Sequence, residues 1–224
     1  KVLGDKVLAG LVNGVLHLSG QRTPAWLPTL PGPSRYRWPQ GEGIHGGSNE
    51  GIGEDRAVVY LPSCASRVFG QQEEAPALPD VVQSLLNKSG CRVIVPQGIE
   101  GLCCGMPYDS KGMVEVAAAK RSELAEALWQ ASEQGRWPVL LDTSPCVQRL
   151  LSGALGKSLR VFEPSAFVLE HLLPHLELTP IDETVMLHIT CSSRRMGLGD
   201  KMLAVARACA REVIIPEHIQ CCGF

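Results

Sequence analysis

The sequence lacks the marks of several common functions. Its 21 basic and 23 acidic residues leave a net charge of −2, so no basic field exists to hold nucleic acid or an anionic membrane surface. No apolar run approaches the ~20 residues that a membrane-spanning helix needs, and no signal peptide opens the chain. No glycine-rich phosphate loop precedes a helix, and no nucleophile elbow is present. No pair of carboxylates stands in a frame suited to acid–base catalysis; Glu115, Glu123 and Glu126 read as the solvated face of a helix. Lys1 stands where a methionine would begin a full-length protein, and Phe224 closes the chain inside a cysteine motif. The expectation is therefore an excised piece of a longer protein.

Against those absences stand nine cysteines in 224 residues. A hydrophobic fraction of 45% and a charged fraction of 20% are those of an ordinary globular protein, long enough for one or two domains with a sizeable core. An exported disulfide scaffold would be smaller, with an even cysteine count. Metal binding or redox chemistry is the better reading. Two cysteine words organise the rest: Gly101-Leu102-Cys103-Cys104-Gly105, and Gln220-Cys221-Cys222-Gly223-Phe224 at the end of the chain.

In order along the chain, Leu8, Leu11, Val12, Val15 and Leu16 share one face of a helix over 5–18. Residues 1–22 read as a helical segment of a preceding domain. Prolines and glycines then crowd residues 23–55, which read as a linker; its Trp26, Tyr36 and Trp38 suggest that it packs against something. From Arg56, short apolar runs at 57–61, 92–96, 138–142 and 159–162 read as buried parallel strands. Helices are predicted between and after them, over 80–89, 111–134, from just after Cys146 through Leu151, and over 166–173. Strands alternating with helices imply right-handed crossovers and an open parallel sheet. The cysteines of interest fall just past strand C-termini, the edge where such sheets collect their binding sites.

At Glu183 the pattern restarts, with a strand over 185–189. Cys64, Ser66, Arg67 and Gly70 recur at the same offsets as Cys191, Ser193, Arg194 and Gly197, and the strand word Val93–Pro96 recurs as Val213–Pro216. Each copy leads into Cys-Cys-Gly, which makes duplication the natural reading. The predicted fold is α/β: two repeated lobes with open parallel sheets flanked by helices, the first over 56–180 and the second, truncated, over 181–224. Cys91 and Cys209 each precede a Cys-Cys pair by 12 residues, but the strand anchors align Cys91 with Arg211 and Cys209 with Ser89. Both read as small buried hydrophobes and not as ligands.

The first lobe offers Cys64, Cys103, Cys104 and Cys146, four thiolates as zinc or an iron–sulfur cluster requires. Adjacent cysteines point to opposite sides of an extended chain. The loop must therefore bend, and Gly101 and Gly105 are expected to permit the bend. Two thiols of one loop suit a multi-iron cluster better than one tetrahedral zinc. Cys191, Cys221 and Cys222 make an incomplete second site, with Gly223 in the place of Gly105. Arg67 and Arg194 read either as sheet-edge cations or as charges that offset thiolates and favour metallation. His188 and His218 have no counterparts in the first lobe and read as packed or surface residues. Two further readings stay open: a structural zinc or protein-interaction module, and metal-free thiol–disulfide chemistry at Cys103–Cys104.

The cysteine, Cys-Cys-Gly, cysteine pattern resembles the cysteine-rich "CCG" domain of heterodisulfide reductase and glycolate oxidase iron–sulfur subunits. The words Leu61–Arg67, Gly101–Pro107 with Ser110-Lys111-Gly112, Asp142–Cys146 and His188–Ser193 look like the C-terminal region of FAD-linked D-lactate or D-2-hydroxyglutarate-type dehydrogenases. That resemblance covers about 56–224. It implies a parent oxidoreductase with an upstream FAD domain that oxidises a D-2-hydroxy acid, a ferredoxin-like segment, and this module carrying electrons onward. The module alone would not be catalytically competent. The resemblance also implies a cytoplasmic protein, with peripheral attachment to the inner face of the membrane as a further expectation. This sequence departs from the pattern at Thr143, where many relatives have a further cysteine three residues before the one matching Cys146.

Overall fold

The computed structural model describes residues 5–18, 34, 56–69, 76–153 and 158–218. The linker expected over 23–55, apart from Ser34, and the word Cys221-Cys222-Gly223 lie outside the described residues.

A helix, α1, runs Asp5–Leu18 where the 3.6-residue stripe placed it. Part of that stripe faces outward: Leu11 and Val15 are about half exposed, and Leu18, off the stripe at the helix end, almost fully. The body begins with β1 (Ala57–Leu61), five apolar residues buried on both faces. It is followed by α2 (Cys64–Val68), α3 (Leu78–Lys88) and β2 (Arg92–Ile94). After a 3₁₀ turn at Ile99–Gly101 come α4 (Met106–Asp109), α5 (Val114–Ala131), β3 (Val139–Leu141), α6 (Ser144–Leu151) and β4 (Val161–Phe162). The α7 turn (Pro164–Phe167) continues as a π-helical turn over Val168–Leu172 and a 3₁₀ turn over Leu173–His175. The single α-helix predicted there is therefore three tightening and loosening turns, with Pro174 barring a regular continuation. The chain goes on through β5 (Ile181–Met186), α8 (Cys191–Arg195), α9 (Gly199–Cys209) and β6 (Ala210–Ile214).

The first sheet is parallel throughout, in the order β2-β1-β3-β4. The chain leaves β1 toward β2 on one side and later returns to place β3 on the other. That reversal of strand order makes a crevice beyond the C-termini of β1 and β3, the switch point where open α/β sheets bind ligands. The core beneath it is the sheet itself with Leu86, Leu124, Leu128, Val147, Leu150 and Phe167, all nearly inaccessible.

The second sheet, β5 and β6, is also parallel. Both strands start earlier than the sequence suggested: Ile181 pairs with Ala210, and a bulge precedes the Thr184–Glu212 pair. Helix α9 and the short helices α2, α4 and α8 escaped sequence prediction; the three short ones, of five residues or fewer, carry too little periodicity to register.

Candidate metal centre

Three loops beyond the first sheet bring four sulfurs to one small cavity. Cys64, Cys103, Cys104 and Cys146 line it, together with Arg67 and Thr143, and it has room for little more than one water-sized sphere. Cys64 is placed by the Ser63 cap: Ser63 is extended (φ −60°, ψ 158°) and its hydroxyl accepts the backbone N–H of Ser66, which starts α2 directly after β1. Cys146 is the third residue of α6, which starts two residues after β3. Cys103 and Cys104 sit between the 3₁₀ turn and α4.

The bend that turns both adjacent thiols into the cavity depends on Gly105. Its φ is +84°, and a Cβ there would stand 2.4 Å from the Ala117 carbonyl oxygen, so no other residue fits without moving α5. Gly101 plays no such part: its φ is not positive and the space around it is open. The second left-handed residue of the loop is Gly98 (φ +66°), ahead of the 3₁₀ turn. Of the two glycines expected to permit the bend, Gly105 does so and Gly101 does not.

The two adjacent sulfurs have different partners. Cys103 Sγ accepts the Gly105 N–H at 3.4 Å. Cys104 Sγ lies 3.2 Å from Cys146 Sγ in an S–H···S hydrogen bond. All seven described cysteines are free thiols.

Three polar ties hold the loops. Arg67 on α2 donates to the Ile99 and Leu102 carbonyls, pinning the Cys103 loop against the helix that carries Cys64. Asp142, just past β3, accepts the Ser63 N–H at 2.7 Å and the Ser66 hydroxyl at 2.9 Å, joining the Cys64 cap to the Cys146 loop. Arg149 on α6 pairs with Asp109 on α4 at 3.2 Å. Sequence reasoning found Arg67 but missed Asp142 and Arg149. A carboxylate ending an all-apolar strand was the visible signal for Asp142; nothing local marked Arg149.

The electrostatics follow from this packing. Burial lowers the Arg67 pKa, while Cys64, Cys103 and Cys146 beside it favour its charge. Arg67 is thus a partly buried cation lining the cavity beside the sulfurs. Burial also raises the Cys103 thiol, against the pull of the Gly105 N–H. Cys104 and Cys146 share a proton: the hydrogen bond from Cys146 lowers Cys104 to about 6, and holding that proton, with burial, raises Cys146. Burial raises Asp142 above the ordinary carboxylate range, opposed by its bonds from Ser63 and Ser66. The Thr143 hydroxyl is buried without a hydrogen bond of good geometry and makes no cap on α6.

The donor set is one that zinc or iron accepts, but the spacing is not that of a filled site. Among the described residues, no three His, Cys, Asp or Glu side chains stand close enough together to hold an ion. A tetrahedral thiolate site spaces its sulfurs by about 3.8 Å, from metal–sulfur bonds of about 2.3 Å, whereas Cys104 and Cys146 are 3.2 Å apart. Taking up a metal therefore means breaking that hydrogen bond and opening the cavity.

The remaining sequence-derived residues fall elsewhere. Cys91 is buried in the core, as expected, but Cys209 is exposed at the end of α9, not buried. Cys191 is exposed. Arg194 is exposed and lines an open cleft with Glu217 and His218; His188 is exposed too.

Residues 58–148 match the family model of CCG, a cysteine-rich domain. The matched span begins in β1 and ends in α6, so it contains all four cysteines of the cavity and none of the second unit. Domains of this family are in general iron–sulfur and electron-transfer modules. No curated protein and no solved structure gave a match.

Proposed function

We propose that the first unit is an electron-transfer module that holds an iron–sulfur cluster through Cys64, Cys103, Cys104 and Cys146. One observation carries this reading: four thiols from three separate loops meet at the switch point of a parallel sheet, inside the span that matches a cysteine-rich family. When bound, such a cluster supplies one-electron transfer. The protein's own part is to seat the four thiolates on the ends of β1 and β3 and on the Gly105 bend. Arg67 then offsets their charge, and the hydrophobic floor of Leu61 and Leu141 keeps bulk water away. A larger surface cleft shares Cys64, Arg67, Leu102 and Cys103 with the cavity and adds Glu100 and Tyr108, so electrons have a short exit on the Cys103 side.

The wider setting rests on the sequence words alone. We assign the module to an FAD-linked oxidoreductase of D-lactate or D-2-hydroxyglutarate type, fed by flavin and ferredoxin-like domains of the same parent. No helix among the described residues is long and apolar enough to cross a membrane.

Anaerobic reconstitution with iron and sulfide tests the reading. The expected result is a coloured protein with bound iron and sulfide that is bleached by air, and loss of both on changing Cys104 or Cys146 to Ser. Stoichiometric zinc without visible absorbance would make the site structural. A folded protein that binds neither would end the proposal.

A further inference from the structure

We propose that Cys104 and Cys146 are a metal-free redox couple in their own right, closing to a reversible disulfide when a small hydroperoxide enters the cavity. The pairing is tertiary: 42 residues separate the two thiols, yet their sulfurs are 3.2 Å apart. A disulfide needs about 2.05 Å, so closure requires only about 1.2 Å of further approach. The adjacent pair is the wrong couple. Cys103 turns its sulfur to the Gly105 N–H while Cys104 turns its own to Cys146, so the thiol chemistry first expected at Cys103–Cys104 moves to the pair that the fold brings together.

The cavity also selects the oxidant. Its space is that of about one water-sized sphere, so a small hydroperoxide reaches it more readily than a peptide disulfide does; Cys104 is only 4% exposed, and Cys146 is partly exposed. In the first step one thiol is oxidised to a sulfenic acid and the peroxide releases water. In the second, the other thiol attacks the sulfenic sulfur, the S–S bond forms and a second water leaves. Two thiols lose two electrons and two protons, and one peroxide becomes two waters. Closure removes two of the four thiolates that a metal would use, so the oxidised cavity cannot be loaded until a thiol reductant reopens it.

The test uses the metal-free protein, fully reduced and freed of reductant, then treated with one equivalent of hydrogen peroxide. The remaining thiols are trapped by alkylation and the digest is mapped without reduction. The expected first product is a Cys104–Cys146 cross-linked peptide, with two of the nine thiols lost and both recovered on treatment with a dithiol. Glutathione disulfide at the same concentration should form the link at least about tenfold more slowly, because attack requires access. A dominant Cys103–Cys104 link, a link to Cys64, or sulfinic acid accumulating without a link would overturn the proposal. So would equal rates with the two oxidants. In Cys146→Ser, with its fold checked by circular dichroism, the link should vanish and Cys104 should climb to sulfinic acid; if that variant does not fold, the wild-type map still decides. The link needs no metal. A protein that forms it but never takes up iron sinks the cluster reading alone, and one that loads iron but never forms it sinks this proposal alone.

Discussion

Residues 57–94 and 181–214 are two versions of one β–α–α–β unit, alike in backbone and unlike in surroundings. Ser63 and Thr190 have nearly the same dihedrals (φ −60°, ψ 158° and φ −64°, ψ 160°), and each side chain accepts the N–H three residues on to start a five-residue helix with cysteine first. The register agrees too: Val58 pairs with Val93, and Val185, at the same distance from its cysteine, pairs with Val213. The difference lies in what flanks each unit. β1 has β2 on one side and β3 on the other, whereas β5 pairs with β6 alone among the described strands. β1 is accordingly buried along its length, while Met186 on β5 is 70% exposed. Cys64 faces three other sulfurs; Cys191 faces solvent. Cap and strand words set the local conformation, and neighbouring strands decide whether a cysteine in that conformation becomes part of a site.

The largest test of this contrast sets Gly105→Ala against Gly197→Ala. Both glycines are left-handed, at φ +84° and +69°, but only Gly105 has a backbone oxygen where the new methyl must go. Gly197→Ala should cost about 1–2 kcal/mol, the ordinary penalty of that conformation. Gly105→Ala should cost on the order of 3 kcal/mol or more, because the cysteine loop and α5 must separate. Urea unfolding of both variants measures the gap. Equal costs would mean that the Gly105 bend is not held by the packing described.

That glycine also shows how far the sequence could be read. The β1 run, the duplicated Cys-Ser-Arg word and the convergence of four thiols were all legible, since each rests on residue type at short range or on the strand-end rule. Gly98, Asp142 and Arg149 were not. Each acts across more than 30 residues of chain, or through a backbone angle that no neighbouring residue announces. The mutual exclusivity of the thiol pairs was hidden for the same reason: adjacency in sequence pointed to Cys103–Cys104, while β3 and α6 deliver Cys146.

Next in size is Asp142, the tie that the first unit has through β3. Asp142→Ala leaves the buried Ser63 N–H without its acceptor and should cost about 1–3 kcal/mol. Asp142→Asn gives a pH signature. Burial holds the folded carboxyl above its ordinary 3.8, so below that value the group favours the folded state. That contribution drains away as pH rises through the raised folded value. The stability of the wild type relative to Asp142→Asn should therefore fall with rising pH over this range, and a difference that rises instead would show that the hydrogen bonds from Ser63 and Ser66 outweigh burial.

Arg67→Ala against Arg194→Ala comes third. Arg67 satisfies two carbonyls of the loop that leads to Cys103, and its loss should cost about 1–3 kcal/mol; Arg194 is exposed and its loss should stay within about 0.5 kcal/mol. Arg67→Lys should recover only part, since an ammonium cannot present two parallel donors to two carbonyls. Comparable losses at the two arginines would mean that Arg194 is held by contacts like those of Arg67.

The last contrast separates the two cysteines that the repeat excludes as ligands. Cys91 is 5% exposed in the core beside β2, and Cys209 lies exposed at the end of α9. Cys91→Ser places a hydroxyl among Val93, Leu86 and their neighbours with no partner arranged for it, at a cost of about 1–3 kcal/mol. Cys209→Ser exchanges one solvated small side chain for another and should stay within about 0.5 kcal/mol. Alkylation gives an independent readout: in the native protein Cys209 should be modified early and Cys91 only as the molecule unfolds. Early modification of Cys91, or protection of Cys209, would mean that the second unit is covered where the structure leaves it open, and the contrast between the two units would shrink to the flanking strands alone.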